Sequence, residues 1–275
     1  MFNLNDLQKE GNRRYGYTAQ QVLDITQSLY EKHKLLTYPR TDSRHLSNAM
    51  ISTLPERLTA LRNTPKYAAL IPETLPGLTK RYVDDGKITD HHAIIPTAVD
   101  PSKAKLTDQE QRIYDLVARR FLSIFYTEAR YAVTEVVTET SGERFKSRGR
   151  VEMVPGWKIV WREVNSQDKG EESNGDDSED QALPPIIQGE QVDVKKIESL
   201  EKQTKPPKRF TEATILSAME SAGKFADDKE MAEVLKEAGG IGTPATRAAI
   251  IERLIKVGYV ARDKKPWYQL LKGKC

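Results

Sequence analysis

The hydrophobic period of this chain changes twice, and those changes limit its architecture more than any other feature. As far as Phe125 the apolar residues recur at helical spacing. Val22, Ile25 and Leu29 form one stripe, and Ile113, Leu116, Val117, Phe121 and Ile124 form another. Residues 127–139 (TEARYAVTEVVTE) then alternate and are rich in valine and threonine, which reads as a strand. Past Lys205-Pro206-Pro207-Lys208-Arg209 the helical spacing returns. A 275-residue chain with that order predicts a multidomain α+β protein. Its expected parts are a helical domain over 4–126, an antiparallel β domain over 127–204 and a second helical domain over 205–275.

Local signals fill in the elements. Residues 4–16 read as a helix stopped by Gly16, and Thr18 with Gln21 forms a capping box for the next helix. Ser47 is expected to cap a helix reaching about Leu61, after which Pro65, Pro72 and Pro76 divide the chain into short pieces. Thr107 with Glu110 opens a long helix. Ser141-Gly142 turns the first strand into 143–150, and 157–161 and 191–197 are expected to add further strands. Helices follow from Thr211 to about Ala222, over 228–237, and from Thr243-Pro244 to about Lys256, where Gly258 stops the last one. Leu270 to Cys275 completes no evident element, and a truncated C-terminus is expected.

The net charge is +3, but residues 166–181 (SQDKGEESNGDDSEDQ) hold seven acids against one lysine, so the remainder carries +9. A basic body with an acidic loop, expected to be disordered for want of apolar residues, is compatible with phosphate binding. No apolar run approaches the ~20 residues that cross a bilayer, so no membrane is expected. The single cysteine, Cys275, rules out an internal disulfide and a thiolate zinc site, and suits a reducing cytoplasm.

Three stretches carry chemistry. The first is Leu36-Thr37-Tyr38-Pro39-Arg40-Thr41-Asp42-Ser43-Arg44. A phenol can attack phosphorus, and a guanidinium fork can hold two phosphate oxygens. The same spacing also suits a half-buried tyrosine in a turn. The second is Thr89-Asp90-His91-His92-Ala93-Ile94-Ile95-Pro96-Thr97. Adjacent histidines diverge and no third ligand is near in sequence, so a contact to phosphate or an ordered loop is expected rather than a metal. The third is Gly239-Gly240-Ile241-Gly242-Thr243-Pro244, where a helix N-terminus beside Thr246 and Arg247 offers either an anion site or ordinary capping. Arg13, Arg14, Lys32 and Lys34 are either a solvated face or a DNA-facing one.

These stretches, with Pro206-Pro207-Lys208-Arg209-Phe210-Thr211-Glu212-Ala213-Thr214, occur in an order and spacing that resembles the type IA DNA topoisomerases, and most closely their bacterial topoisomerase III branch. The resemblance covers nearly the whole chain. It implies an ATP-independent enzyme that cuts and rejoins single-stranded DNA through a 5′-phosphotyrosine intermediate. Tyr38 would be the nucleophile, Arg40 the arginine at the scissile phosphate, and His91 a histidine that helps fix the site. Thr41, Asp42, Ser43, Arg209, Thr211, Thr243, Thr246 and Arg247 would line the DNA. The family also implies Mg2+ held by an acidic cluster in a Toprim domain, and no Asp-x-Asp-x-Glu pattern stands in this chain. The resemblance therefore implies a fragment without that domain, holding no metal itself and inactive or nearly so alone. Its partners would be single-stranded DNA and the Toprim domain, in the nucleoid of a bacterium. The β region would belong to the arch, and the helical regions to the gate and the strand-binding groove. A binding protein that kept the scaffold and lost the chemistry is the competing reading. A tyrosine recombinase fails, because its arginines and histidines precede a late tyrosine.

Overall fold

A computed structural model describes residues 1–162, 182–262 and 267–269. It mixes helices with antiparallel β-structure and divides into two compact units, Met1–Tyr126 with Arg209–Cys275, and Thr127–Lys208. The two helical stretches, which the sequence assigns to separate domains, thus fall in one unit.

In the first unit, α1 (Leu4–Tyr15) begins where the Asn3 side chain accepts the Asp6 N–H, and ends at Gly16 in the left-handed region, φ 69°. Helix α2 (Ala19–Glu31) has the expected capping box: Thr18 Oγ1 accepts from Gln21 N–H at 3.1 Å, and the Gln21 side chain accepts from Thr18 N–H at 2.9 Å. Gly11 lets α1 and α2 approach closely, since a Cβ there would lie 2.7 Å from Val22 Cγ2. Helix α5 (Asp108–Leu122) repeats the capping box with Thr107 and Glu110 and buries Ile113, Leu116, Val117 and Phe121. The side chains of Leu4, Leu7, Val22, Leu29, Leu35, Leu36, Ile94 and Ile95 are buried with them. Burying one such aliphatic side chain contributes about 1.5–3 kcal/mol.

The stretch after Ser47 departs from expectation. Instead of one helix there is a 3-10 turn, Asn48–Thr53, followed by α3 (Leu54–Arg62), and Ser47 makes no capping bond. Pro55 is the cause: it lacks an N–H and is tolerated only in a first helical turn, so α3 must start within a residue of it. Helix α4 is the short Pro65–Ala68.

The returning helices are α6 (Glu212–Glu220), α7 (Lys229–Glu237) and α8 (Pro244–Val257). Their apolar cluster joins Leu216, Met219, Ala248, Ile251 and Trp267 with Ala19 of α2. A small hairpin, β3 (Val260–Arg262) with β4 (Trp267–Gln269), follows and was not evident in the sequence. The expected lack of structure over 270–275 lies outside the described residues.

The second unit holds one long hairpin, β1 (Arg130–Thr140) and β2 (Glu143–Val154), in antiparallel register from Thr140 opposite Glu143. Ser141 and Gly142 turn it with φ of 51° and 83°. The further strands do not form. Residues 157–161 lie in a 3-10 helix, Gly156–Trp161. Gly156 has φ 52°, and Trp157 N–H donates to the Thr127 carbonyl at 3.0 Å, so the chain folds back before a strand can extend. Residues 191–197 are exposed and unpaired, because alternation alone makes no strand without a partner to share its backbone hydrogen bonds. The expected disordered loop 166–181 lies outside the described residues.

Candidate active site

The Tyr38 loop is held by backbone pairing to the His91–Thr97 segment. Leu36 bridges Pro96 antiparallel, Thr37 N–H donates to the Ile95 carbonyl at 3.0 Å, and Thr97 N–H donates to the Leu35 carbonyl at 2.9 Å. The Thr37 hydroxyl adds a clasp, donating to the Ala93 carbonyl at 3.2 Å and accepting from Ile95 N–H at 3.0 Å. Segments more than fifty residues apart in sequence are joined here because the buried Leu35-Leu36 and Ile94-Ile95 pack into one core.

That pairing sets Tyr38 against His91. Their ring centroids are 4.5 Å apart with planes tilted by 53°. Tyr30 of α2 meets the same tyrosine edge-on at 5.5 Å. Tyr38 is half-buried, while Arg40 and His91 are exposed. The Tyr38 hydroxyl has no hydrogen-bond partner among the described residues and is not sealed from solvent. The Arg40 guanidinium extends toward Gln27 Oε1, 3.4 Å away, a long and weak contact that leaves its fork largely available. Tyr38 and His91 are thus in contact with one another, and Arg40 is exposed two residues on from the tyrosine. The concavity lined by Asn63, Lys66, Tyr67, Ser102, Gln111 and Tyr114 includes none of them.

The polar residues after Arg40 divide. Thr41 and Ser43 are buried, at 3% and 4% exposure, and their hydroxyls are engaged. Thr41 Oγ1 donates to the His91 carbonyl at 2.7 Å and accepts from Ser43 N–H at 3.1 Å. Ser43 Oγ donates to the Lys87 carbonyl at 2.9 Å and accepts from His45 N–H at 3.1 Å. Both hydroxyls, expected at the DNA, are taken up inside the chain: Thr41 holds the loop to the His91 segment, and Ser43 holds it to the turn at Lys87. Asp42 is exposed and accepts from the Thr89 hydroxyl at 3.1 Å. His92 turns inward, its Nδ1 2.8 Å from the Ala93 carbonyl, and burial pushes its pKa down.

The second helical stretch shows a similar division. Arg209 is exposed, and Thr211 caps α6 in reciprocal bonds with Thr214. Thr243 and Thr246 are exposed and bonded to one another at the start of α8, with Thr243 N–H donating to Thr246 Oγ1 at 2.8 Å. Arg247 is the exception, at 3% exposure. Its guanidinium donates to the Ile241 carbonyl at 3.1 Å and the Gly239 carbonyl at 2.8 Å, so it braces the glycine turn from inside rather than presenting charge. Burial pushes its pKa down. Gly240 has a packing reason to be glycine: φ is 94°, and a Cβ would lie 2.0 Å from the Met219 carbonyl oxygen.

Residues outside the motifs complete the site. Gln27 and Tyr30 lie three positions apart near the end of α2, and Lys34, past the end of that helix with φ 56°, stands 5.8 Å from the Tyr30 ring. The i, i+3 spacing of Gln27 and Tyr30 on one face of α2, just before the tyrosine, was the available signal. Glu212, inside the motif with Arg209 and Thr211, was also missed. It is buried, accepts from the Ala19 N–H at the start of α2 at 3.0 Å, and takes both forks of Arg262 at 3.0 Å. Glu220 similarly ties α6 to α1, accepting from Asn5 at 2.8 Å and Lys9 at 2.6 Å, with Arg44 at 3.7 Å. Magnesium binds a set of oxygen ligands, usually carboxylates with water. Asp42 is the one carboxylate of the Tyr38 loop, and among the described residues no three His, Cys, Asp or Glu side chains cluster to hold a metal. Among the described residues, none of the carboxylates near Tyr38 forms a set that fits a magnesium ion.

Comparison with known proteins follows the same lines. The sequence model of a family described as DNA topoisomerase matches residues 1–274. The DNA topoisomerase 3 of Bacillus licheniformis is 38% identical over an alignment that takes in 100% of this chain and 37% of that protein. Those of Bacillus subtilis and Bacillus anthracis are 39% and 41% identical, again across 100% of this chain and 38% of theirs. The chain thus spans well under half the length of these relatives. In three dimensions it is similar to full-length topoisomerase I from Thermotoga maritima, with a TM-score of 0.65 at 24% identity, covering 99% of this chain and 40% of that one.

Proposed function

The chain belongs to the type IA DNA topoisomerase family, and on that premise we propose that it supplies the nucleophile and part of the DNA path for cutting and rejoining single-stranded DNA. The observation that carries the reading is the open Tyr38 hydroxyl beside His91, with the Arg40 guanidinium available on the same loop. The Tyr38 oxygen attacks the phosphorus of a phosphodiester. A P–O bond to tyrosine forms and the bond to the 3′ oxygen breaks, so the phenol loses its proton and the 3′ oxygen gains one. Negative charge on the phosphate oxygens in the transition state is matched by Arg40. His91 holds the tyrosine ring, and Thr41 holds His91 through its carbonyl. Rejoining reverses the step without ATP, because phenolate is a competent leaving group and the phosphotyrosine retains the bond energy. Arg209, Thr211, Thr243 and Thr246 are the exposed candidates for contact with the strand, and Asp42 borders it. In this reading the family's magnesium is held outside the described residues, and the chain works with a Toprim domain in the bacterial nucleoid.

Alone, the chain is expected to relax supercoiled DNA little or not at all. A relaxation gel with magnesium tests this on the chain as it stands and on the chain joined to the remaining portion of the Bacillus subtilis enzyme. Relaxation only by the joined form is expected. Robust relaxation by the chain alone would overturn the division of labour.

A further inference from the structure

Lys34 stands in a backbone conformation that its side chain disfavours. Among the described residues, only Lys34 and Ser141 take a left-handed backbone without being glycine, at φ 56° and 51°. Ser141 turns the β1–β2 hairpin, where a positive φ is required. At Lys34 a glycine would make the same turn without strain. The surroundings hold the strained turn in place. Leu35 N–H donates to the Leu29 carbonyl at 2.9 Å, the Thr97 hydroxyl donates to the Lys34 carbonyl at 2.6 Å, and the adjacent His33 imidazole meets Glu110 at 3.2 Å. Charge at the helix end does not account for the lysine, because Lys32, the C-cap of α2, already puts a cation there.

The side chain of Lys34 leads to the tyrosine. Its ammonium lies 5.8 Å from the centre of the Tyr30 ring, a cation–π distance, and the Tyr30 ring meets Tyr38 edge-on at 5.5 Å. Gln27, one turn earlier on α2, contacts Arg40. Lys34 is exposed and makes no ion pair among the described residues, so its charge is not cancelled. We propose that Lys34 is a second phosphate-binding cation of the tyrosine site, holding a phosphate of the single strand beside the one that Tyr38 attacks. The inference rests on the reading of Tyr38 as the nucleophile and adds a residue to that site. A lysine is a compact charge on a flexible stem, suited to a phosphate that only has to be held, while the planar fork of Arg40 suits the one that reacts. Glycine at position 34 would relieve the backbone and lose that hold.

Fluorescence anisotropy of the 275-residue chain tests it, with a labelled thymine single strand of about 20 nucleotides between about 50 and 200 mM salt. Three variants separate charge from strain: Lys34→Gly removes both, Lys34→Gln removes the charge alone, and Lys34→Arg keeps both. In the glycine and glutamine variants the salt slope is expected to fall by about 0.7, the share of one single-strand phosphate, and affinity at ~100 mM salt to fall about fivefold. Lys34→Gly should melt at or above the temperature of the unaltered chain, so binding is lost while stability is kept or gained, an outcome that a purely structural role does not give. Lys34→Arg keeps slope and affinity, and Lys32→Gln leaves the slope unchanged. Arg40→Ala lowers the slope in its own right, which reports the strand at the Tyr38 loop. If Arg40→Ala lowers it and the Lys34 variants do not, the proposal fails and the reading of the tyrosine site stands; if neither lowers it, both fail. A lower melting temperature in Lys34→Gly, or an equal loss of slope in Lys32→Gln, would also overturn the proposal.

Discussion

Replacing Glu212 gives the sharpest test of how the two helical stretches are held together. Its carboxylate is buried at 2% exposure and makes three charge-assisted bonds, one to Ala19 N–H and two to the Arg262 fork, each 3.0 Å. Glu212→Ala strands the Ala19 N–H at a fully buried helix start, which costs about 1–3 kcal/mol. Losing one partner of a buried ion pair costs about 3–5 kcal/mol when the other charge is left alone. Arg262 keeps Glu252 at 2.7 Å and is partly exposed, which lowers that figure. A total of about 3 kcal/mol is expected, or a Tm lower by roughly 6–12 °C for a chain of this size. Glu212→Gln keeps an acceptor for Ala19 and should lose about half as much. Thermal unfolding gives the sum, and hydrogen exchange along α6 and the first turn of α2 locates it. If the alanine variant loses under about 1 kcal/mol, or exchange rises elsewhere and not in these turns, the seam does not depend on this carboxylate.

Further outcomes follow from the loop and from the depressed carboxylates. Thr41→Val should lower stability by about 1–2 kcal/mol and broaden the Tyr38 and His91 ring signals in NMR, since its hydroxyl bonds the His91 carbonyl and Ser43 N–H. Sharp, unshifted signals would show that Thr41 does not order the pair. Glu10 and Glu110 have folded pKa values of about 2; burial pushes both up, and stronger bonds pull them down, from Arg13 and Arg14 to Glu10 and from Ser28 and Thr107 to Glu110. Their folded values lie below the unfolded ones, so the stability they add is full above the ordinary carboxylate range and is lost as pH falls from about 5 toward 2. Glu110→Gln should flatten the acid limb of urea midpoints against pH, and an unaltered limb would contradict this.

Much of this was legible in the sequence where the determinants are local. The capping pairs Thr18 with Gln21 and Thr107 with Glu110 needed no distant partner, and both formed. Alternation at 157–161 and 191–197 misled, because a strand needs a neighbour and Gly156 turns the chain away first. At the site, the residue types marked Tyr38, Arg40 and His91, but the contact between Tyr38 and His91 depends on the Leu36–Pro96 bridge, which no local pattern encodes. Thr41, Ser43 and Arg247 looked solvent-facing because polar residues usually are. Backbone carbonyls of neighbouring turns claim them instead, and only the folded chain supplies those.

The central claim is covalent chemistry at Tyr38, and trapping the adduct tests it most directly. The chain joined to the remaining portion of the Bacillus subtilis enzyme is incubated with magnesium and a single strand labelled at its 3′ end, then run on a denaturing gel. Label should migrate with protein, and Tyr38→Phe should abolish that band while strand binding stays within about twofold. Persistence of the adduct in Tyr38→Phe, or transfer of a 5′ label in place of the 3′ label, would contradict the account.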